Sequence, residues 1–234
     1  MVMIPAYNEE GTVGKVVKST LALYPDFKVV VIDDGSEDRT AKRAEEAGAD
    51  VVSLPFHCGG SIAVQTGYLI AAKNGYDYLV KIDADGQHKP DEIPKMLGPL
   101  TDNAADITVG SRYIAPETNE GSVVREGGRV FSSTIVSMFP NIGVTDVTSG
   151  MRAWNRRAIE ILLSEYMDRG LIDDSVFWIA ETLVASRKGL CLTEVPIKTL
   201  DRERGESKSF SFGKKLLYPV RLLLAFVEEI RGPR

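Results

Sequence analysis

Two aspartates with one residue between them follow an apolar run near the middle of the chain. The run at residues 78–82 is rich in aliphatic side chains and predicts a buried strand. Asp83, Ala84 and Asp85 come directly after it, and Gln87 follows two positions later. Two carboxylates at this spacing suit Mg²⁺ or Mn²⁺, with the other coordination positions left for water and phosphate oxygens. The pattern indicates a divalent-cation site, while a polar strand end before a turn stays open as the simpler interpretation.

The position of this pair favours a ligand site over a calcium-binding loop. Alternate side chains of a strand point to one face, so we expect Asp83 and Asp85 to point the same way where the strand ends. Open α/β sheets bind ligands in the crevice beyond the carboxyl ends of their strands. An EF-hand loop that began at Asp83 would need its glycine later than Gly86, and a Glu where the chain has Pro94.

Polar clusters also follow the first two predicted strands. Residues 5–10 follow the first strand, and residues 33–36 follow the second. Right-handed crossovers between parallel strands bring such clusters to one edge of the sheet. Taken singly, Asp34 also suits a helix N-cap and Tyr7 suits half-buried packing. Together with the aspartate pair, the clusters indicate a site for a planar ring, a ribose and a metal-bridged diphosphate.

The elements that must position these residues alternate along the first half of the chain. Predicted strands occupy residues 1–4, 28–32, 51–54, 78–82 and 107–110, and predicted helices occupy residues 9–23, 38–47 and 62–74, with a short one from 90. This alternation predicts an α/β fold with a mostly parallel sheet and helices on both faces. In the second half we predict helices at 129–138, 175–187 and 214–230, strands at 151–154 and 190–195, and polar segments at 146–150 and 198–211.

Composition limits the class of protein. The chain has 234 residues, of which 44% are hydrophobic, and a net charge of −5, which argues against nucleic-acid binding. Its two cysteines and two histidines support neither a disulfide framework nor a zinc site. No segment approaches the roughly 20 apolar residues that span a bilayer. We expect a cytoplasmic protein that, if it uses membranes, lies on their surface.

Six segments, taken in order, resemble a known family. They are residues 5–9, 33–40, 83–88, 110–113, 146–152 and 202–208. In these motifs the chain resembles the family 2 inverting glycosyltransferases of the GT-A fold, and in particular the dolichol- and polyprenyl-phosphate mannosyl- and glucosyltransferases. The resemblance runs from about residue 3 to residue 208. It implies a GT-A, Rossmann-like catalytic domain, which we place at residues 1–212.

The resemblance also implies roles for individual residues. Those implied for the nucleotide-sugar are Pro5, Ala6, Tyr7, Glu9, Ile32, Asp34, Asp83, Ala84, Asp85, Arg202 and Lys208. Those implied for the metal are Asp83, Asp85 and Gln87, and those for the acceptor phosphate are Arg112, Arg129 and Ser133. Among them we expect Asp85 and Arg112 to act in catalysis. A planar guanidinium binds phosphate as a fork, which is consistent with the arginines.

The implied reaction is a metal-dependent, inverting transfer of a hexose from UDP- or GDP-hexose to polyprenyl phosphate. A lipid phosphate is already anionic and needs no general base, whereas a saccharide hydroxyl needs a carboxylate. Asp173 and Asp174 stand where relatives carry that base, although they also suit helix capping. Two alternatives stay open: transfer to a saccharide in cell-surface polysaccharide synthesis, and a non-catalytic module that binds nucleotide-sugar. A dinucleotide-dependent dehydrogenase is disfavoured because no Gly-x-Gly-x-x-Gly follows the first strand.

Two segments bear on specificity and attachment. Residues 57–61 read His-Cys-Gly-Gly-Ser, where the family often has Lys-Gly, and this puts donor choice in doubt. Residues 213–234 are predicted to form an amphipathic helix that packs on the domain, on a partner or on the membrane surface. We expect a peripheral protein at the inner face of the membrane, with a separate membrane subunit as a possible partner.

Overall fold

The computed structural model describes residues 1–114, 144–169, 174 and 176–200. The predicted helices at 129–138 and 214–230 lie outside these residues, as do the C-terminal segment 213–234 and most of the polar segment 198–211. The boundary drawn at residue 212 therefore stays a prediction. Within the described part of the chain, no helix combines the length and apolar character needed to cross a bilayer.

The described residues build one mixed sheet. Its strands are β1 (Val2–Ala6), β2 (Val29–Asp33), β3 (Asp50–Ser53), β4 (Tyr78–Lys81), β5 (Ile107–Ser111), β6 (Arg152–Asn155) and β7 (Leu192–Pro196). They lie in the order β3-β2-β1-β4-β6-β5-β7. β1 pairs in parallel with both β2 and β4, and β5 pairs in parallel with β7. The predicted mostly parallel α/β sheet is confirmed.

One strand runs against the rest. β6 lies between β4 and β5 and pairs with both in antiparallel register. Its carboxyl end therefore lies at the opposite edge, and the expectation that every strand would end at the same edge is wrong for β6. Direction cannot be read from a four-residue strand, because its side-chain period is the same in either orientation.

Helices cover the sheet. They are α1 (Val13–Leu23), α2 (Thr40–Glu46), α3 (Gly60–Lys73), α4 (Ile93–Thr101), α5 (Arg156–Arg169) and α6 (Phe177–Arg187). The sequence analysis missed α5, which starts directly after β6. Ala158, Leu162 and Tyr166 recur on one face of it and are buried, so helical spacing was present in the sequence. The first helix also begins later than predicted, because residues 8–10 bond to the loop after β2 instead.

The hydrophobic residues divide into two cores, one on each face of the sheet. Val2 and Ile4 of β1 lie in the core that includes α1 and α4, whereas Met3 lies in the core that includes α3, α5 and α6. Alternate side chains of β1 thus pack into the two cores on opposite faces of the sheet, which is why the sequence of this central strand is almost continuously apolar. The confirmed arrangement of helices on both faces follows from this double burial.

A buried ion pair anchors β6 to α6. Arg152 and Glu181 are both fully buried, and their side-chain nitrogen and oxygen atoms are 3.0 Å apart. Glu181 also accepts hydrogen bonds from the Tyr68 hydroxyl and the Trp154 indole. Burial raises the pKa of Glu181, although Arg152 and these two donors oppose the shift. The pair compensates charge that could not otherwise be held in the interior.

Replacing Glu181 by Ala tests this pair. The change leaves the Arg152 guanidinium buried without its partner, so we expect the free energy of unfolding to fall by about 3–5 kcal/mol. Urea unfolding followed by circular dichroism measures the loss. Glu46→Ala is the matched control, because Glu46 pairs with Arg43 at the surface and an exposed pair contributes below about 1 kcal/mol. Equal losses in the two variants would show that burial of the pair is unimportant.

Candidate active site

The loops that follow β1 and β2 are joined by hydrogen bonds. The backbone nitrogen of Asn8 donates to the Ser36 hydroxyl at 2.9 Å, and the Asn8 side-chain oxygen accepts from the backbone nitrogen of Glu37 at 2.9 Å. The backbone nitrogen of Glu9 donates to the Thr40 hydroxyl at 2.7 Å. These bonds bring the two polar clusters predicted from the sequence into one rim at the carboxyl edge of the sheet.

Asp34 holds a third loop against this rim. Its buried carboxylate accepts hydrogen bonds from the backbone nitrogens of Cys58 at 2.7 Å and Gly59 at 2.9 Å. The Nδ1 atom of His57 lies 2.8 Å from the same carboxylate. Gly35 has a φ of +68°, and a Cβ there would lie 2.4 Å from the backbone carbon of Phe56, so only glycine fits. Asp34 therefore orders the loop after β3, rather than capping α2, the helix that comes next after Asp34 in the chain.

A planar wall stands beside Asp34. The rings of Tyr7 and His57 stack with centroids 3.8 Å apart and an interplanar angle of 14°. The His57 side chain is 51% exposed, so one edge of the stack faces solvent. The sequence analysis noted His57 only as a departure from the family. Its stacking on Tyr7 could be found only from the structure, since fifty positions of chain separate the two residues.

The predicted strand at residues 78–82 ends one residue early. β4 stops at Lys81, so Asp83 and Asp85 lie in the turn beyond it, and the expectation that strand alternation aligns them does not apply. Asp83 has a 34% exposed side chain, whereas Asp85 is only 3% exposed. Asp85 accepts a hydrogen bond from the backbone nitrogen of Gln87 at 3.0 Å, which closes the turn. One carboxylate thus faces outward and the other supports the loop.

Two residues that the sequence analysis did not select hold Asp83. The buried Lys81 ammonium donates to its Oδ1 atom. The buried His88 ring accepts a hydrogen bond at Nδ1 from the backbone nitrogen of Asp83, at 3.2 Å. Burial lowers the pKa of His88 against the opposing effect of Asp83, whose Oδ2 atom lies 3.3 Å from the same Nδ1. Lys81 lies just before the 83–88 motif and His88 ends it. Their burial, which the sequence does not show, is what indicates that they support Asp83.

The donor set of this turn fits a divalent cation that is shared with a substrate. No group of three or more His, Cys, Asp or Glu side chains in the described ranges is arranged to enclose a metal. Mg²⁺ commonly takes one or two carboxylates from the protein and completes its octahedron with water and phosphate oxygens. Asp83 and Asp85, separated by one residue in the same turn, match that requirement. Water and substrate phosphate oxygens would complete the coordination of such a cation.

The turn is tied to a second segment of chain. The Gln87 side-chain nitrogen donates to the carbonyl of Leu200 at 3.3 Å, and the backbone nitrogen of Leu200 donates to the carbonyl of Gln87 at 2.9 Å. His88 and Thr199 form an antiparallel bridge beside them. The predicted phosphate-binding residues Arg202 and Lys208 lie outside the described residues. Leu200, which is bonded to this turn, is the last described residue before them.

The guanidinium of Arg112 forms a fork with an internal carboxylate. Its Nε and one terminal nitrogen each lie 2.8 Å from an oxygen of the buried Asp146, and the same terminal nitrogen lies 3.1 Å from the Thr148 hydroxyl. Burial lowers the pKa of Arg112, but the bonds to Asp146 outweigh it and raise the pKa. Arg112 therefore positions the 145–148 turn, and its contact with an acceptor phosphate stays a prediction. Its proposed partners Arg129 and Ser133 lie outside the described residues.

Asp174 lies at the start of a helix other than the one expected. Its two carboxylate oxygens accept from the backbone nitrogens of Gly60 at 3.1 Å and Ser61 at 2.7 Å, which open α3. A carboxylate at this position satisfies unpaired helix donors and complements the helix dipole. The capping role that the sequence left open is thus seen, but on α3 rather than on the helix after residue 175. Asp173 lies outside the described residues.

The remaining candidates lie in or beside strand ends. Pro5 and Ala6 end β1, and Ile32 precedes the last residue of β2. The side chain of Ile32 is wholly buried in the core that includes α3, so only its backbone is available to a nucleotide, and its place in the pocket stays a prediction. Ala84 is buried within the turn.

Comparison with known proteins agrees with this architecture. The family model described as glycosyl transferase family 2 matches residues 1–163. A polyprenol monophosphomannose synthase of Mycolicibacterium smegmatis is 33% identical over 220 residues, which cover 89% of this chain and 80% of that protein. An undecaprenyl-phosphate mannosyltransferase of Micrococcus luteus is 31% identical, with 89% of this chain and 86% of that protein covered.

The fold has solved counterparts. Glucosyl-3-phosphoglycerate synthase of Mycobacterium tuberculosis, in complex with Mn²⁺, UDP-glucose and phosphoglyceric acid, superimposes with a TM-score of 0.73 at 22% identity. The match covers 100% of this chain and 80% of that one. At this identity the likeness establishes the GT-A fold and nothing finer.

Asp34→Ala tests the order of the rim. The substitution removes the acceptor of two backbone N–H groups, so we expect a loss of about 1–3 kcal/mol in the free energy of unfolding. Amide hydrogen exchange at Cys58 and Gly59 should accelerate as well. Asp50→Ala serves as control, because its exposed carboxylate pairs only with the Lys28 ammonium among the described ion pairs and should change stability by less than about 1 kcal/mol. Unchanged exchange at residues 58 and 59 would contradict the role given to Asp34.

Proposed function

Because the chain belongs to glycosyl transferase family 2, we propose that this glycosyltransferase moves a hexose from a nucleoside-diphosphate sugar to polyprenyl phosphate, with inversion and with a divalent cation. The observation that carries the proposal is the turn after β4. There the partly exposed carboxylate of Asp83 and the loop-closing carboxylate of Asp85 lie at the same edge of the sheet as the rim, because β4 pairs in parallel with β1. A diphosphate-bound cation and a nucleoside would fit side by side at this edge.

The relatives support the acceptor class. The Mycolicibacterium and Micrococcus enzymes are a polyprenol monophosphomannose synthase and an undecaprenyl-phosphate mannosyltransferase, and a relative from Methanococcus voltae transfers N-acetylglucosamine from its UDP-sugar to dolichyl phosphate. That protein is 29% identical, with 94% of each chain covered. All three names include a lipid phosphate, while two name mannose and the third names N-acetylglucosamine. We extend only the shared acceptor to this chain.

The donor half of the reaction follows from the rim. Tyr7 and His57 present a planar wall for a base, with the Asp34 carboxylate behind them keeping the wall in place. Asp83 and Asp85 would hold a divalent cation, which would neutralise charge on the departing diphosphate. The Gln87 side chain ties this turn to Leu200, which precedes Arg202 by two residues in the sequence.

The proposed acceptor is supported by the negative charge of a lipid phosphate. A lipid phosphate can attack the anomeric carbon, on the side opposite the leaving diphosphate, without first losing a proton. Asp174, the base candidate in the described part of the chain, has both oxygens engaged with the start of α3. This favours an anionic acceptor over a saccharide hydroxyl. Arg112 would then approach the acceptor phosphate from the end of β5, in the orientation that its bonds to Asp146 hold.

The proposal includes the membrane. A polyprenyl acceptor requires a protein that reaches the bilayer surface, so we propose peripheral binding at its inner face, through residues 213–234 or through a separate membrane subunit. The predicted amphipathic pattern of those residues supports the first route.

A nucleotide panel tests the donor site. UDP, GDP and ADP are added with and without Mn²⁺ while thermal unfolding is followed. We expect one nucleotide to stabilise the protein only with the metal, by about 2.7 kcal/mol at a hundredfold excess over its dissociation constant. Asp83→Asn should lose the metal-dependent part. Asp77→Asn, at the opposite end of β4 and exposed, should retain it. Equal stabilisation with and without Mn²⁺ would contradict a shared cation.

The acceptor class is tested by two measurements, the activity of an Asp174→Asn variant and the extraction of the labelled product. A general base contributes about 10²–10⁴-fold, so a loss of that size with a shifted pH profile would indicate a hydroxyl acceptor. We expect a lower melting temperature and an unshifted pH profile, with the labelled hexose recovered in butanol-extractable lipid. Recovery in water-soluble glycan would instead support the polysaccharide alternative.

A further inference from the structure

A buried lysine stands directly behind the predicted cation site. Lys81 is the last residue of β4, and its side chain is only 7% exposed. Its ammonium donates to Asp83 Oδ1 and lies 5.2 Å from the ring centroid of Trp178 in α6. A buried ammonium is costly unless it is paired, and this one is paired with the outward-facing carboxylate of the site.

The space for this ammonium is provided by a glycine. A Cβ placed on Gly150 would lie 2.9 Å from Lys81 Nζ and 3.6 Å from Asp83 Oδ2. Gly150 does not have a positive φ, so close approach rather than backbone conformation requires the missing side chain. The neighbouring cation Arg152 also faces Trp178, but Glu181 already neutralises it.

A divalent cation that binds Asp83 would be repelled by the Lys81 ammonium, and the other charges near Asp83 do not remove this repulsion. Arg112 also interacts electrostatically with Asp83, although its guanidinium is hydrogen-bonded to Asp146. The Lys81 ammonium is hydrogen-bonded directly to the Asp83 carboxylate. A divalent ion that approaches Asp83 meets a carboxylate already shared with a fixed positive charge.

We propose that Lys81 is a built-in counter-ion of Asp83 that makes cation binding depend on the nucleotide diphosphate. It weakens binding of the bare metal by repulsion, while a diphosphate supplies the negative charge that restores binding. Lys81 also holds Oδ1, which orients the rest of the carboxylate. It is a positioning residue that acts through Asp83. The inference rests on the metal-assisted transfer proposed above.

The test is a Mn²⁺ titration followed by electron paramagnetic resonance of the free ion, with Mn²⁺ alone and with UDP or GDP. The wild-type chain should bind Mn²⁺ tightly only with nucleotide. In Lys81→Met, affinity for Mn²⁺ alone should rise on the order of tenfold, because a unit charge within a few ångströms is removed. The ratio of the Mn²⁺ affinity with nucleotide to the affinity without it should therefore be smaller in this variant than in the wild-type chain.

Two further variants separate charge from folding. Lys95→Met removes the same charge from an exposed lysine paired with Glu92, and it should leave both affinities unchanged. Gly150→Ala displaces the ammonium without changing the net charge, and it should raise affinity for Mn²⁺ alone in the same direction. If Lys81→Met does not fold, Gly150→Ala decides the question.

The outcomes distinguish the two proposals. A folded Lys81→Met or Gly150→Ala variant that binds Mn²⁺ alone no more tightly than wild type overturns the role of Lys81 and leaves the transfer mechanism standing. A wild-type chain that binds Mn²⁺ under neither condition overturns both. Tight binding of Mn²⁺ to wild type without nucleotide also overturns the inference, because the lysine would then impose no dependence.

Discussion

Parallel hydrogen bonding of β1 to both of its neighbours is the constraint on which the site depends. Because β1 pairs in parallel with β2 and with β4, the three strands end at the same edge of the sheet. The loops that follow them therefore meet, although they are far apart in sequence. Side chains then join the loops, from Asn8 to Ser36 and from Asp34 to the backbone of Gly59. Strand direction brings the polar residues together, and these hydrogen bonds give the edge its shape.

Charge compensation is the second organising feature of this edge. Asp146 is paired with Arg112, and Glu181 is paired with Arg152 deeper in the fold. Each pair offsets the cost of removing ions from water and leaves a defined geometry in return. Such residues resemble substrate ligands when read from sequence, because charged side chains near motifs suggest binding. In the structure Arg112 has a fixed orientation before any substrate arrives, which is what a preorganised phosphate contact would need.

The sequence predicted the regular parts of the fold well. Helical spacing placed a helix at residues 62–74, and the structure has one at Gly60–Lys73. Short apolar runs likewise located the strands. The failures have separate causes: α5 carries a charged surface and follows β6 without a linker, so its buried face was overlooked. The early end of β4 could not be seen because Ile82 continues the apolar run and is buried, though it lies outside the strand.

By itself, the sequence determined the fold class and the motif that carries the two aspartates, because side-chain periodicity and local spacing are properties of the chain alone. It indicated the family through the resemblance of six ordered motifs. Tertiary structure decided which of those residues face outward and which support the loops. It turned Ile32 into core, set Asp174 at the start of α3, stacked His57 on Tyr7 and placed the Lys81 ammonium against Asp83. These contacts join residues on different elements or depend on burial. Both are set by how strands and helices pack, which local sequence does not encode.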